Sequence, residues 1–214
     1  MDALCLRGCQ QRSAHYRDRY IILVSGWHEK DNVGIVQIYD RILDGWTRGT
    51  DWPGAPVFGH VAAIYENAFL VCDGVRLDVK PDGKRVFSAS NECWRADIQG
   101  RNPEYLVWTK IAPHPGLPRY RMGGDTRGHN AYFAGGSTIP YNFNGIGYEG
   151  VPATPSFDIS VFDFKINQWE SNQQLSNPSM DHRGFPCFAN TCFLIGGMSG
   201  NQSIRTSITT QKIE

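Results

Sequence analysis

Ala131-Tyr132-Phe133-Ala134-Gly135-Gly136 and Cys192-Phe193-Leu194-Ile195-Gly196-Gly197 share one pattern, a short apolar run closed by two glycines. The pattern occurs twice more upstream. Ile21-Ile22-Leu23-Val24-Ser25-Gly26 and Phe69-Leu70-Val71-Cys72-Asp73-Gly74 end in a small residue and a glycine. The closing glycines fall at 26, 74, 136 and 197, spacings of 48, 62 and 61. Periods of that size mark repeat architectures, in which one supersecondary unit is copied and stacked.

Working outward, a tryptophan follows each of the first three pairs: Trp46, Trp108 and Trp169, spaced 62 and 61 apart. Ahead of it lies another strand-like run, Ile38-Tyr39-Asp40 in one copy and Val161-Phe162-Asp163-Phe164 in another, with a looser Ala96-Asp97-Ile98 between. Upstream of each pair comes a further strand and a turn. The turns are read at Arg17-Asp18, Glu66-Asn67, Gly124-Asp125-Thr126 and Ala189-Asn190, since Asn, Asp and Gly adopt turn conformations readily. Each unit is therefore a four-stranded antiparallel meander. One such sheet cannot bury both faces, so the copies must pack face to face around an axis.

In these marks, the glycine pair, the aromatic-Asp strand and the downstream Trp, the chain resembles the kelch-repeat family. The resemblance implies an all-β fold, a kelch-type β-propeller of about four blades over residues 11–214. Blade four lacks its Trp strand. Either residues 1–10 close it, with a strand over 3–9, or the chain is part of a larger propeller whose exposed blade faces drive self-association.

Composition narrows the function classes. The 21 basic and 21 acidic residues cancel, which argues against nucleic acid as a partner. No apolar run reaches the length of a membrane span. The first residues lack the apolar core of a signal peptide, so the sequence as written is expected in the cytoplasm, or outside it if truncated. Cys187 and Cys192 flank a turn and face each other; they are read as small buried residues rather than a disulfide. His15, His60 and His182 recur beside the first strands and are read as structural, so no metal or cofactor is expected.

Function is expected where variable loops leave a rigid scaffold, here the face built from residues 27–32, 75–90, 137–156 and 198–202. The blade-to-blade links 49–56, 112–118 and 174–183 join that face, and Trp52 lies on the first of them. The third loop carries Tyr141, Asn142 and Tyr148, whose rings and amides suit sugar stacking and hydrogen bonding. In the second loop, Arg76 and Arg85 suit a bidentate grip on a carboxylate. Arg183 is a further anchor.

The long third loop and last blade also resemble the bacterial N-acetylneuraminate epimerase (mutarotase) branch of kelch proteins. That resemblance implies a proton-transferring Glu after a blade glycine; Val75 stands there, leaving Asp73 or Glu149 as the acid/base. Two functions follow. One is a binding module for a protein or a carbohydrate on the long-loop face. The other is a mutarotase-like isomerase acting on sialic acid.

Overall fold

A computed structural model describes residues 12–213. The blade-closing strand expected over residues 3–9 lies outside the described residues.

The chain is all-β and forms four propeller blades. Blade 1 runs β1 (Arg12–Tyr16), β2 (Tyr20–Val24), a small hairpin of β3 (Trp27–His28) and β4 (Asp31–Asn32), then β5 (Val36–Asp40) and β6 (Gly45–Arg48). Blade 2 repeats this with β7 (Val61–Tyr65), β8 (Ala68–Cys72), a longer hairpin of β9 (Val75–Val79) and β10 (Arg85–Ala89), then β11 (Cys93–Ile98) and β12 (Leu106–Ile111). Blade 3 holds β13 (Gly123–Arg127), β14 (Asn130–Ala134), β15 (Ser156–Asp163), β16 (Gln168–Trp169) and β17 (Gln173–Ser179). Blade 4 is the three-stranded sheet β18 (Cys187–Phe188), β19 (Thr191–Ile195) and β20 (Ile208–Lys212). Among the described residues this sheet has no fourth strand.

Two expectations are corrected here. The turn of blade 3 is at Gly128 and His129, and Gly124-Asp125-Thr126 lies inside β13. The link expected over 174–183 begins as strand: β17 (Gln173–Ser179) pairs with the first half of β15, while β16 pairs with its second half.

No blade has a core of its own. Blade 1 packs Ile22, Val36 and Ile38 against Phe69, Val71 and Ile98 of blade 2. The other face of blade 2 packs Leu70 and Cys72 against Phe133 and Phe162 of blade 3. Blade 3 in turn packs Tyr132 and Val161 against Cys192 and Leu194 of blade 4. The tryptophans reach across these seams. Trp108 stands edge-on to Phe69 and to Trp52 of the preceding link, and donates to the Thr50 carbonyl at 3.4 Å. Trp169 stands edge-on to Phe162 and donates to the Ala112 carbonyl at 2.8 Å.

The aspartates of the aromatic-Asp strands are turn caps. Asp163 accepts from the backbone of Lys165 and Ile166, and Asp40 from Ile42 and Leu43. Hydrogen bonds from Arg19 hold the Asp40 carboxyl down at about 2. The ionised form thus favours the fold, and that contribution fades as pH falls from the ordinary carboxylate range toward 2.

In every blade both members of the small pair have positive φ: Ser25 and Gly26, Asp73 and Gly74, Gly135 and Gly136, Gly196 and Gly197. Just past each later pair the chain bridges back to the segment entering its blade, Phe58↔Val75, Tyr120↔Ser137 and Met180↔Met198. A Cβ on Gly136 would sit 2.8 Å from Met122 Cγ and 2.9 Å from the Tyr120 oxygen.

Both cysteine pairs are directly opposed across adjacent strands, which brings their Cβ atoms together. Cys72 and Cys93 form a disulfide inside the core, a pairing the sequence reading missed. Cys187 and Cys192 form a second, correcting the expectation of two unbonded residues.

Gly136→Ala is expected to cost about 2–4 kcal/mol, from the clash plus backbone strain. Gly83, also at positive φ but with nothing near it, should cost only about 1 kcal/mol as alanine. Urea denaturation of both variants measures the difference, and equal losses would show that the close approach at Gly136 carries no weight.

Candidate functional site

The segments entering blades 2, 3 and 4 carry a second repeated left-handed position. Blade 2 has Gly59 there (φ 63°), blade 3 has Arg121 (φ 57°) and blade 4 has Asp181 (φ 63°). Each directly follows Phe58, Tyr120 or Met180, the residue that bridges to the end of the small pair. Left-handed backbone is strained for Arg and Asp, and such strain clusters at functional sites. Arg121 Nη1 donates to Asp181 at 2.9 Å, and Arg183 Nη1 donates to the same oxygen at 3.2 Å. The Arg121 side chain is 5% exposed and that of Asp181 24%.

Gly59 is required for a different reason. A Cβ there would lie 2.0 Å from the Tyr120 ring. With that space open, Tyr120 stands edge-on to Phe58 at 5.5 Å and to Tyr141 at 5.0 Å. The Arg121 guanidinium lies over both tyrosine rings, at 4.9 and 5.3 Å. Burial opposes its charge, but Tyr120, Asp181 and Tyr141 outweigh that and raise its pKa.

Above this layer the aromatic rings continue outward and open to solvent. Trp27 on β3, Phe58 ahead of β7, Phe87 on β10 and Tyr148 in the third loop line an opening of about 160 Å³. Trp27 lies 5.3 Å from Phe58 and 6.1 Å from Phe87. Tyr148 stacks on Phe87 at 3.9 Å with planes 17° apart. Burial pushes the Tyr148 phenol up, and its hydroxyl is hydrogen-bonded to that of Tyr120. The Arg85 guanidinium sits over Trp27 at 5.1 Å and Phe87 at 5.5 Å, held by the Lys30 carbonyl. A second cleft of about 400 Å³ shares Phe87 and Tyr148 with this opening and is otherwise lined in part by Val86, Ile139, Pro140 and Glu149.

The residues singled out from sequence separate into those at this opening and those away from it. Tyr148 lines it. Arg183 reaches Asp181 and is exposed. Tyr141 is fully buried and serves as the floor, inaccessible to a ligand. Asn142 is exposed and bonds within its own loop, to the Ile146 carbonyl. Glu149 is exposed at the rim of the second cleft. Arg76 pairs with Asp78 on the surface. It sits opposite Ser88 while Arg85 sits opposite Val79, so the two arginines point to opposite faces of the hairpin and cannot share one carboxylate. Trp52 is 7% exposed in the seam between blades 1 and 2, bonded to the Ala55 carbonyl, and is part of the core.

Asp73 is sealed. Its Oδ2 meets His114 Nε2 at 2.8 Å and accepts the Arg119 backbone N–H at 2.6 Å, and the His114 and Asp73 side chains are 2% and 0% exposed. The Arg119 guanidinium, almost fully buried, donates to the Gly135 and Asp158 carbonyls and to Ser160. This network ties blade 2 to blade 3.

Sequence reading placed Trp27 and Phe87 on the expected face without singling them out, and missed Phe58 and Tyr120. The signal for the deeper layer was present in the matched segments Phe58-Gly59-His60, Tyr120-Arg121-Met122 and Met180-Asp181-His182, all just ahead of a first strand.

No protein-family model matches the chain, and no curated protein matches it. Among solved structures, that of YjhT superposes with a TM-score of 0.71, over 95% of this chain and 68% of that one, at 15% identity. At that identity the likeness is one of fold.

Asp73→Ala strips the buried His114–Arg119 network of its carboxylate and should cost about 3 kcal/mol. Glu149→Gln, on an exposed loop, should stay within about 0.5 kcal/mol of the parent. Chemical denaturation distinguishes them, and a stable Asp73→Ala protein would return Asp73 to the list of functional residues.

Proposed function

We propose that the chain is a kelch-type propeller binding module that takes a carbohydrate in the aromatic box of Trp27, Phe58, Phe87 and Tyr148. The observation that carries this reading is the convergence of four rings from three blades on one opening. A pyranose presents an apolar C–H face that stacks on such rings, and its hydroxyls need a few fixed polar groups at the edge. The exposed Arg85 guanidinium beside the Trp27 and Phe87 rings is a polar group at hand for that purpose. A flat protein ligand would have less use for so narrow an opening. The two disulfides support an oxidising compartment for this module.

A second reading, a sialic-acid mutarotase-like enzyme, draws on one observation. Asp181 holds a carboxylate in strained backbone beside Arg121 and Arg183, one layer from the box. Anomer exchange needs a general acid and base at the ring oxygen and the anomeric hydroxyl. Asp73, sealed between blades, is out of reach for that work.

Titration of a monosaccharide panel that includes N-acetylneuraminate, followed by tryptophan fluorescence and ligand-detected NMR, tests the binder. Trp27→Ala and Tyr148→Ala are each expected to weaken binding about tenfold, the loss of one stacked ring. Equal affinities in parent and variants would remove the box from consideration. The same samples report α/β exchange of N-acetylneuraminate; acceleration abolished by Asp181→Asn would favour the enzyme over the binder.

A further inference from the structure

The aromatic box is small. At about 160 Å³ it falls below the range of about 300–1,000 Å³ in which ligand pockets usually lie, and it has room for one sugar ring. It is continuous with more space. Phe87 and Tyr148 also line the second cleft, of about 400 Å³, whose other walls come from β10 of blade 2 and the long loop of blade 3. Taken together, the two spaces lie within the usual range.

The lining of the cleft selects what can fill it. Val86, Phe87 and Ser88 line it in succession. Successive side chains of a strand point to opposite faces, so a space that touches all three runs along the strand's edge. Among the described residues β10 pairs with β9 alone, which leaves that edge open. The register identifies the backbone groups that face it. The Lys80 N–H donates to the Lys84 carbonyl and the Ser90 N–H to the Gly74 carbonyl, both at 2.9 Å, and the residue pairs between them alternate. Val86 and Ser88 are therefore bonded to β9, while the N–H and C=O of Phe87 point out along the edge. The hydroxyls of Ser88 and Thr138 and the exposed carboxylate of Glu149 add polar groups, and Ile139, Pro140 and Val151 add apolar surface.

An aliphatic chain would cover these polar groups without bonding them, at a cost for each. A peptide strand would need several outward-facing backbone pairs, and the three residues of β10 at the cleft offer one. A sugar suits both parts of the lining. Its C–H face packs on the aliphatic side chains. Its hydroxyls donate to the Phe87 carbonyl and to Glu149 and accept from the Phe87 N–H. Glu149 is the one charged side chain among the described residues of the cleft, so a neutral sugar fits there better than an acidic one. We infer that the ligand of this face is an oligosaccharide of at least two sugars, one in the aromatic box and a neutral one in the cleft, an inference that rests on the sugar reading of the box.

Isothermal titration calorimetry of the intact chain tests this with matched monomers and dimers. The probes are glucose, galactose and N-acetylglucosamine, each alone and as its 1,4- and 1,6-linked dimers, and N-acetylneuraminate alone and linked to galactose. For a sugar that the box accepts, a dimer is expected to bind about tenfold tighter than its monomer, the gain of one hydrogen bond to a charged group. Glu149→Ala combined with Thr138→Val, both at exposed loop positions, should bring the dimer-to-monomer ratio to about one. Trp27→Ala should weaken monomer and dimer alike and leave the ratio in place. Val151→Asp, at another exposed position of the cleft, replaces the double variant if that protein loses its circular dichroism spectrum. Monomers that bind while no dimer binds more tightly would overturn the inference and leave the box standing. A dimer advantage that survives the cleft variants would overturn it too, by placing the second sugar elsewhere. If neither monomers nor dimers bind, the sugar reading of the box fails and the inference fails with it.

Discussion

Everything in this molecule depends on one packing requirement: each sheet is too thin to bury its own side chains and must be covered by the next. Phe69, Val71 and Ile98 are buried only because blade 1 lies against them, and Phe162 and Phe133 only because blade 2 does. A fully buried side chain of this size is worth about 1.5–3 kcal/mol relative to exposure. Each seam is therefore worth many times the capping bonds inside a blade. The tryptophans follow from the same requirement. They stand at the outer ends of the seams, where sheets splay apart and a large ring is needed to fill the gap and bond the preceding link.

Bringing sheets together around an axis forces the segments that enter successive blades to run close to the ends of the second strands. The small pairs with positive φ make that approach possible. The approach in turn fixes a left-handed residue in each entering segment, at 59, 121 and 181. In blade 2 this is glycine, which leaves room for Tyr120. In blades 3 and 4 it is a charged residue, and the two charges meet. The scaffold thus creates one special position per blade, and the side chains there are not consumed by the seams. The ion pair of Arg121 and Asp181, and the aromatic rings stacked over it, are built on positions that the packing leaves available.

The scaffold was legible in the sequence because it is periodic. Apolar runs ending in small pairs, and tryptophans 62 and 61 residues apart, register a contact that must be made again in every blade. The aromatic opening was not legible in the same way. Trp27, Phe87 and Tyr148 come from three insertions of different length, and nothing in their spacing says that they meet. Asp73 misled for an instructive reason. It occupies the first position of a small pair, where an acidic side chain looks exposed and reactive. The blade 2–3 link instead folds over it and supplies His114 and the Arg119 backbone. Trp52 misled similarly, since a tryptophan on a link reads as a binding platform until a neighbouring blade stands against it. The Cys72–Cys93 disulfide was hidden because cross-strand register is a property of the pairing, and residues 21 apart give no hint of it; Cys187 and Cys192 were read as facing each other, and only their bonding was missed.

The separation between seam and face also bears on which chemistry this site can support. A stacking site asks only for rings held at fixed spacing, and the Phe87–Tyr148 pair is held by two loops that are themselves well bonded. Residues 137–155 close on themselves through Tyr141↔Gly147 and Ile146↔Pro152, and Gln202 ties the end of that loop to blade 4 through the Ala153 carbonyl. Proton transfer asks for more: a carboxyl free to gain and lose a proton at a reacting atom. Asp181 is shared by two arginines, one of them buried. A carboxylate already engaged from two sides is well placed to orient the arginines. The geometry that makes the opening rigid and aromatic thus favours the proposed recognition, with Arg121 lying over the buried tyrosine rings and Arg183 bound to the same carboxylate.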